Sequence, residues 1–360
     1  LKFLIAFIIL LNIVPTISSS QEWRFIHPYK GINIYSEVSF SYNDNVFKYS
    51  QDDINCFVNN IEPYKYPIET YDDFITTVQL HSKIKKQFAG SNLTTLNLKL
   101  KGNLYLRNKE KSYETFSVSI YQKLGRKGNA IIKYLFLPEY FIRYYPDFDV
   151  ITPYGYPYYT GCYFSKHYLK LQIGYKTFFS SDLALYVSGE KNDYNDSFNE
   201  YDSEKKSMGI RLKFPVRKFL ESSISYTFTR ALASAVDESG EKKNTSDDSD
   251  ISNDEDQVGF SLRLDLTKKL PIAFLTELKY KRRVYTTEKP ILCDPYHSGR
   301  EDKGLVFQFT TSITPTPRLS FNLGYTLENR DVFSPYDITS IEEIKNYSAN
   351  LYSFMLTFSY

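Results

Sequence analysis

The chain predicts an all-β fold: a transmembrane antiparallel up-and-down β-barrel of about 14 strands, with short periplasmic turns and long extracellular loops. Three observations predict it. Apolar and polar residues alternate in segments of about ten. The connections between segments alternate between short and long. After the first twenty residues no apolar stretch is long enough to cross a bilayer as a helix.

The amino terminus sets the compartment. Lys2 precedes an apolar run from Phe3 to Leu11, continued by Ile13 and Val14 and closed by Ser18, Ser19 and Ser20. This pattern predicts a secretory signal peptide over residues 1–20, leaving 21–360 as the barrel. No cysteine lies near the expected cleavage point, so a lipid anchor is not indicated. The expected location is the outer membrane of a diderm bacterium.

Strand by strand, the alternation is clearest at Leu96, Leu98 and Leu100, interleaved with Asn97, Lys99 and Lys101. Earlier strands are expected over Ile34 to Tyr42 and Phe74 to Ile84. Later ones carry Phe116, Val118 and Ile120; Ile132 to Tyr144; Leu169, Leu171 and Ile173; Leu183, Leu185 and Val187; Ile210 and Leu212; and Ile224, Tyr226 and Phe228. The last third continues with Val258, Phe260 and Leu262; Ile272, Phe274 and Leu278; Leu305, Phe307 and Phe309; and Leu319, Phe321 and Leu323. The chain holds 33 Tyr and 27 Phe, residues suited to the boundary between lipid tails and headgroups.

Long loops are expected at Asn43–Tyr71, Asn108–Lys111, Pro146–Gly161, Asn192–Glu204, Ala231–Asp256, Thr286–Lys303 and Asn329–Asn346. Short turns lie between them, at Ala89–Asn92, Gly125–Asn129, Ser180–Asp182, Pro215–Phe219, Thr267–Pro271 and Thr314–Arg318. One expected loop is acidic, with Asp237, Glu238, Glu241, Asp247, Asp248, Asp250 and Asp254 among Ser and Asn; it reads as a disordered, solvated tip or a cation-binding loop. Another is aromatic, from Tyr140 and Phe141 through Tyr156 to Tyr163, and reads as interfacial girdle and loop packing.

The final strand places Tyr352, Phe354, Leu356, Phe358 and Tyr360 at every second position. Phe354, Phe358 and Tyr360 are the expected signal to the barrel-assembly machinery; the alternative is an ordinary edge strand, which would invite aggregation.

Tyr42-Asn43-Asp44-Asn45-Val46-Phe47 opens the first loop, and Glu328-Asn329-Arg330-Asp331 precedes Tyr336-Asp337 and the final strand. With these stretches the chain resembles the loosely defined β-barrel porin families of the bacterial outer membrane. The resemblance implies the barrel and its membrane; it brings no catalytic residues.

If the apolar parity faces lipid, the other parity is pore-lining. It carries Lys83, Lys85, Lys99, Lys101, Lys123, Lys133, Lys170, Arg211, Lys213, Arg263, Lys279 and Lys281, along with Arg107, Arg143, Lys176 and Arg283. Acidic residues there are fewer, chiefly Glu37, Glu139, Glu190, Asp265 and Glu277. A net-positive lumen favours anions, unless the charges only pair across strands. Leu135, Leu137, Phe141, Tyr168 and Tyr186 are bulky enough to occlude it.

The leading expectation is a porin-like channel for small anionic or saccharide-like solutes. The alternatives are a structural or surface-interaction barrel with a plugged lumen, and an outer-membrane hydrolase with a rim site. No enzymatic activity is expected, because nothing marks a triad among His27, His81, His167 and His297. No cofactor and no metal site are expected. Cys56, Cys162 and Cys293 are too scattered for a disulfide framework, although one pair is permitted. The basic residues alternate along strands instead of clustering, which argues against nucleic acid. The expected partners are outer-membrane lipids, the assembly machinery and small solutes, with a monomer as the default.

Overall fold

The structure is a computed structural model. It describes residues 31–87, 92–177, 180–266, 271–336 and 340–359, with the backbone alone at 148–151. The expected signal peptide, His27 and Tyr360 lie outside these residues.

Fourteen strands form one closed antiparallel barrel, each paired with its neighbours in sequence, and the last with the first. They are β1 (Ile32–Asn43), β2 (Asp73–Gln87), β3 (Leu93–Tyr105), β4 (Tyr113–Leu124), β5 (Gly128–Ile151), β6 (Pro157–Lys176) and β7 (Asp182–Tyr194). The second half comprises β8 (Ser203–Arg217), β9 (Leu220–Ala233), β10 (Asn253–Leu266), β11 (Ile272–Tyr285), β12 (Glu301–Thr316), β13 (Leu319–Phe333) and β14 (Tyr347–Ser359). Helix α1 (Gln51–Val58) lies in the first long connection and α2 (Ile341–Lys345) in the last.

Closure fixes the parity of every side chain, because a one-residue slip in any pair would turn a whole apolar set inward. Ile173, Leu185, Val187, Met208 and Leu323 are each more than half exposed, on one parity around the wall. Left in water, such a belt would drive aggregation; in hydrocarbon it is the low-energy arrangement, since closure leaves no unpaired strand edge. The wall is that of a membrane barrel.

Strand β14 pairs with β13 on one side and β1 on the other, so it is not an edge. Phe354 stands opposite Phe40 and Leu323, and Phe358 opposite Ser36 and Leu319, both on the apolar outer parity.

Short links close one end of the barrel, as at 218–219 and 317–318, and longer ones cross the other. One expected loop is corrected. Pro146–Gly161 is mostly strand: β5 and β6 run on as a hairpin whose connection is only 152–156. Aromatic residues favour extended backbone, Pro146 and Pro157 sit in the ladder opposite Tyr159 and Ile151, and Pro153 falls in the connection; three register shifts, between Leu137/Tyr140, Phe141/Tyr144 and Asp147/Ile151, punctuate the hairpin. Strand β13 likewise continues through Asn329 to Phe333, where loop was expected.

The acidic stretch is corrected as well. Its tail, from Asn253, begins β10, and the rest is folded. The buried Lys289 ammonium donates to the carbonyls of Ala235, Ser246 and Asp248, at 3.1, 3.0 and 2.6 Å. Lys243 donates to Ser252 Oγ at 2.8 Å and lies 3.4 Å from Asp250 Oδ1. Two ammonium groups order a segment whose acidic composition alone suggests disorder. The three cysteines are all free.

Candidate pore lining and mouth

The registers place the twelve expected pore-lining residues on the parity opposite the exposed apolar belt. Lys99 stands opposite His81 on β2 and Ser117 on β4, and Lys101 opposite Gln79 and Thr115. Lys133 on β5 faces Lys170 on β6 directly. Like charges in direct cross-strand register are destabilising, and the Lys170 ammonium turns to the Tyr186 ring on β7. Arg211 stands opposite Ala184 on β7 and Ser225 on β9. Lys99 and Arg211 are exposed although they point inward, so the barrel's interior is not filled at these points.

The other members divide into two groups. Lys213, Arg263 and Lys279 have acidic neighbours: Glu221 at 2.8 Å, Asp265 at 3.0 Å and Glu277 at 3.1 Å respectively. Among the described residues, no carboxylate lies within ion-pair distance of Lys83, Lys85, Lys99, Lys101, Lys123, Lys133, Lys170, Arg211 or Lys281. The unpaired charge thus lies mostly on β2 to β6, with Arg211 on β8 and Lys281 on β11, while Lys213, Arg263 and Lys279 are compensated by Glu221, Asp265 and Glu277.

Among the bulky inward residues, Tyr186 lies against the wall. Its ring lies along the wall, over the backbone of Gly209 on β8, where a Cβ would collide with it. Its hydroxyl bonds Thr227 on β9. The Lys170 ammonium sits 3.8 Å from the ring centroid, a cation–π contact. A Cβ at 209 would force the Tyr186 ring to shift.

The long-loop end is narrowed by the first connection, 44–72. Ser50 caps α1 through a reciprocal capping box with Asp53. Val46, Phe47, Tyr49, Tyr66 and Phe141 form a buried cluster, with Tyr105, Tyr144 and Tyr163 against it. Phe141, nearly inaccessible at 1% exposure, belongs to this packing and not to an interfacial girdle. Tyr64 stacks on Tyr156 of the long hairpin at 4.2 Å. The segment also reaches past β14 to the neighbouring wall, where Lys48 Nζ lies 2.6 Å from Glu328 Oε1 on β13.

Lys111 anchors the cluster from the connection between β3 and β4. Its buried ammonium donates to the carbonyls of Phe141 and Ile142, at 3.0 and 2.9 Å. Burial pushes it down to about 7, with the Lys48 and Arg143 charges acting in the same direction and Glu110 opposing.

A second set of cations surrounds the same mouth. The Arg143 guanidinium lies 4.7 Å from the Tyr145 ring centroid and 5.5 Å from that of Tyr49. Lys345 Nζ, on α2, lies 5.2 Å from the Tyr145 ring. Arg330 sits 4.8 Å from the ring of Tyr347 and donates Nε and a terminal nitrogen to the Lys345 carbonyl, at 2.9 and 2.6 Å. Arg300 is neutralised by Asp302, with bonds of 2.6 and 2.8 Å.

Arg330 and Lys345 were not among the expected pore-lining residues. Carrying the inward alternation of Thr326 and Glu328 two residues further would have found Arg330. Nothing local marks Lys345, which depends on a helix of five residues.

The histidines hold structural positions. His297 Nδ1 lies 2.9 Å from Asp294 Oδ1, while Asp294 Oδ2 accepts the Asp250 N–H at 2.8 Å; the pair braces two loops together. His167 faces outward against Phe136 and Tyr134, and His81 faces inward against Tyr35.

No family model matches the chain, and no curated protein does. Solved structures are similar in overall path. The outer membrane channel DcaP of Acinetobacter baumannii is 12% identical, with 91% of this chain and 97% of that one covered and a TM-score of 0.47. The anion-selective porin from Comamonas acidovorans is 7% identical, with coverage of 91% and 98% and a TM-score of 0.42. OmpT of Vibrio cholerae is 6% identical, with coverage of 94% and 100% and a TM-score of 0.44. Identity this low transfers no residue role.

Proposed function

We propose that the protein is a porin-like channel of the bacterial outer membrane, passing small solutes with a preference for anions. The observation that carries this reading is the run of solvent-accessible, uncompensated cations on the inner parity of a closed, lipid-compatible wall, with Lys99, Lys133, Lys170 and Arg211 at its centre. Inward charges that served only to fill and stabilise a plugged interior would be paired, because an uncompensated buried charge costs several kcal/mol. Lining charge in a low-dielectric wall raises the local concentration of the opposite ion. Passive diffusion through such a lining requires no catalytic group and no cofactor. The short-turn end is then periplasmic and the long-loop end extracellular, with the 44–72 segment as the constriction.

Single-channel recording of the purified protein in a planar bilayer, with a KCl gradient, tests this. Stable conductance steps and a reversal potential toward chloride are expected. A silent bilayer with verified insertion would leave a plugged barrel, with function in its loops.

A further inference from the structure

We propose that the extracellular mouth contains an oxyanion-binding site made by Lys345 and Arg330, with Arg143 behind them, which takes a phosphate or sulfate group carried free or as an ester on a small solute. This deepens the channel reading by naming the chemical class its mouth would select.

The argument starts from a charge imbalance that the surrounding groups leave open. Five cations converge at this end: Lys48, Arg143, Arg300, Arg330 and Lys345. Two are already matched. Arg300 is held by both oxygens of Asp302, and Lys48 by Glu328, which also accepts from the Tyr347 hydroxyl at 2.6 Å. Asp53 is the remaining carboxylate near the group, and its oxygens accept the Ser50 N–H at 3.3 Å and the Tyr66 hydroxyl at 2.9 Å. Among the described residues, no carboxylate lies within ion-pair distance of Arg143, Arg330 or Lys345.

The geometry holds these three in place without neutralising them. Tyrosine rings contact all three: Tyr145 meets both Arg143 and Lys345, and Tyr347 meets Arg330. A ring face orients a cation and contributes only its quadrupole, so it supplies no neutralising charge. Arg330 further fixes α2 by donating two N–H groups to the Lys345 carbonyl, which ties the position of the Lys345 ammonium to the barrel wall. Arg143 is buried and contributes field, while Lys345 and Arg330 are half-buried residues. Burial and the neighbouring Arg143, Arg300 and Arg330 charges disfavour the Lys345 ammonium, a penalty that an arriving anion would remove.

With Nε and Nη2 turned to the Lys345 carbonyl, Arg330 keeps its Nη1 side for a ligand, and that side with an ammonium matches a tetrahedral oxyanion, which offers several acceptor oxygens at charge-assisted distances. Chloride presents a single centre and gains less from the fork.

Titration calorimetry on the full barrel extracted in detergent tests the site without requiring conduction. Inorganic phosphate and a hexose monophosphate are titrated separately, with the neutral hexose as control. Binding is expected to weaken steeply with added salt, to fall at least about tenfold in Lys345→Gln, and to persist in Lys345→Arg. Binding of both probes identifies the oxyanion itself as the recognised group. Binding of the ester alone assigns the site to a phosphorylated solute. Heat from neither probe, equal binding by the neutral hexose, or undiminished binding in Lys345→Gln overturns the proposal. Lys345→Gln leaves the backbone carbonyl that Arg330 uses, and heat-modifiable migration on a gel confirms that the variant is folded. Phosphate binding in a protein that passes no current would refute the channel and leave this site standing.

Discussion

Lys48, in the loop that follows β1, lies 2.6 Å from the Glu328 carboxylate on β13, so the first long loop is tied across the inner face of β14 to the wall beyond it. Lys48 adopts φ 56, a left-handed conformation that few non-glycine residues take, and the contact with Glu328 is part of what holds it there. Both side chains are roughly half exposed or less, so the pair contributes about 0.2–1 kcal/mol to the folded barrel. Its larger effect is on the width of the mouth. Lys48→Ala is expected to raise open-channel conductance and current noise while leaving the unfolding midpoint nearly unchanged. Identical conductance would show that the loop is held by the Phe47 and Phe141 cluster alone.

The division of the inner face into paired and unpaired cations predicts unequal mutational effects. Replacing Lys99 and Arg211 together with Gln removes uncompensated charge and should shift the reversal potential away from chloride. Lys213→Gln breaks a pair with Glu221 and exposes a carboxylate, so it should also reduce chloride preference but restore it when combined with Glu221→Gln. Equal effects of Lys213→Gln with and without Glu221 would contradict this assignment.

Tyr186 and Gly209 form a second test of the interior. In Gly209→Ala the new methyl occupies the space of the Tyr186 ring, which must swing toward the lumen. Conductance is expected to fall, and the double variant Gly209→Ala/Tyr186→Ala to recover it. No change in current would place Tyr186 outside the conducting path.

The outer face should respond oppositely to charge. Val187→Arg puts a guanidinium on an exposed apolar position and is expected to destabilise the barrel by up to about 2–4 kcal/mol, depending on its depth in the bilayer. Ser188→Arg, one residue along and on the inner parity, should cost far less. Denaturant unfolding in lipid vesicles compares the two.

The loop pair around Glu200 carries a pH dependence. Burial pushes the Glu200 carboxyl up to about 7, and the nearby Asp248 and Asp237 charges act in the same direction. A carboxyl whose folded value lies above its unfolded one stabilises the packing below about 4.5, and this advantage is lost as pH rises toward 7. Glu200→Gln should therefore increase hydrogen-exchange protection of 195–202 and 234–252 at neutral pH, by about 1–2 kcal/mol given the partial exposure of the side chain, and flatten the change between those limits. A loss of protection at neutral pH in the variant would reverse the sign argued here.

The strand wall was legible in the sequence because side-chain alternation has a period of two and a closed barrel applies it to every strand. Leu96, Leu98 and Leu100 against Lys99 and Lys101 needed no knowledge of their partners. The mouth was much less legible. Pro146–Gly161 was expected as a loop because its prolines read as breakers; Pro146 and Pro157 instead sit in the ladder, opposite Tyr159 and Ile151. Asp237 to Ser252 was expected to be disordered because its acidic composition carries no trace of Lys289, which orders it from another loop.

The sequence by itself determined the barrel, the parity of its apolar and basic residues, and the alternation of short and long connections. These are properties of local pattern, and burial in lipid selects the same pattern everywhere along the chain. Tertiary structure alone decided which cations are compensated, as Lys213 is and Lys99 is not, and which converge, as Arg143, Arg330 and Lys345 do from β5, β13 and α2. Charge pairing depends on distances between residues far apart in the chain, and closure of the barrel sets those distances.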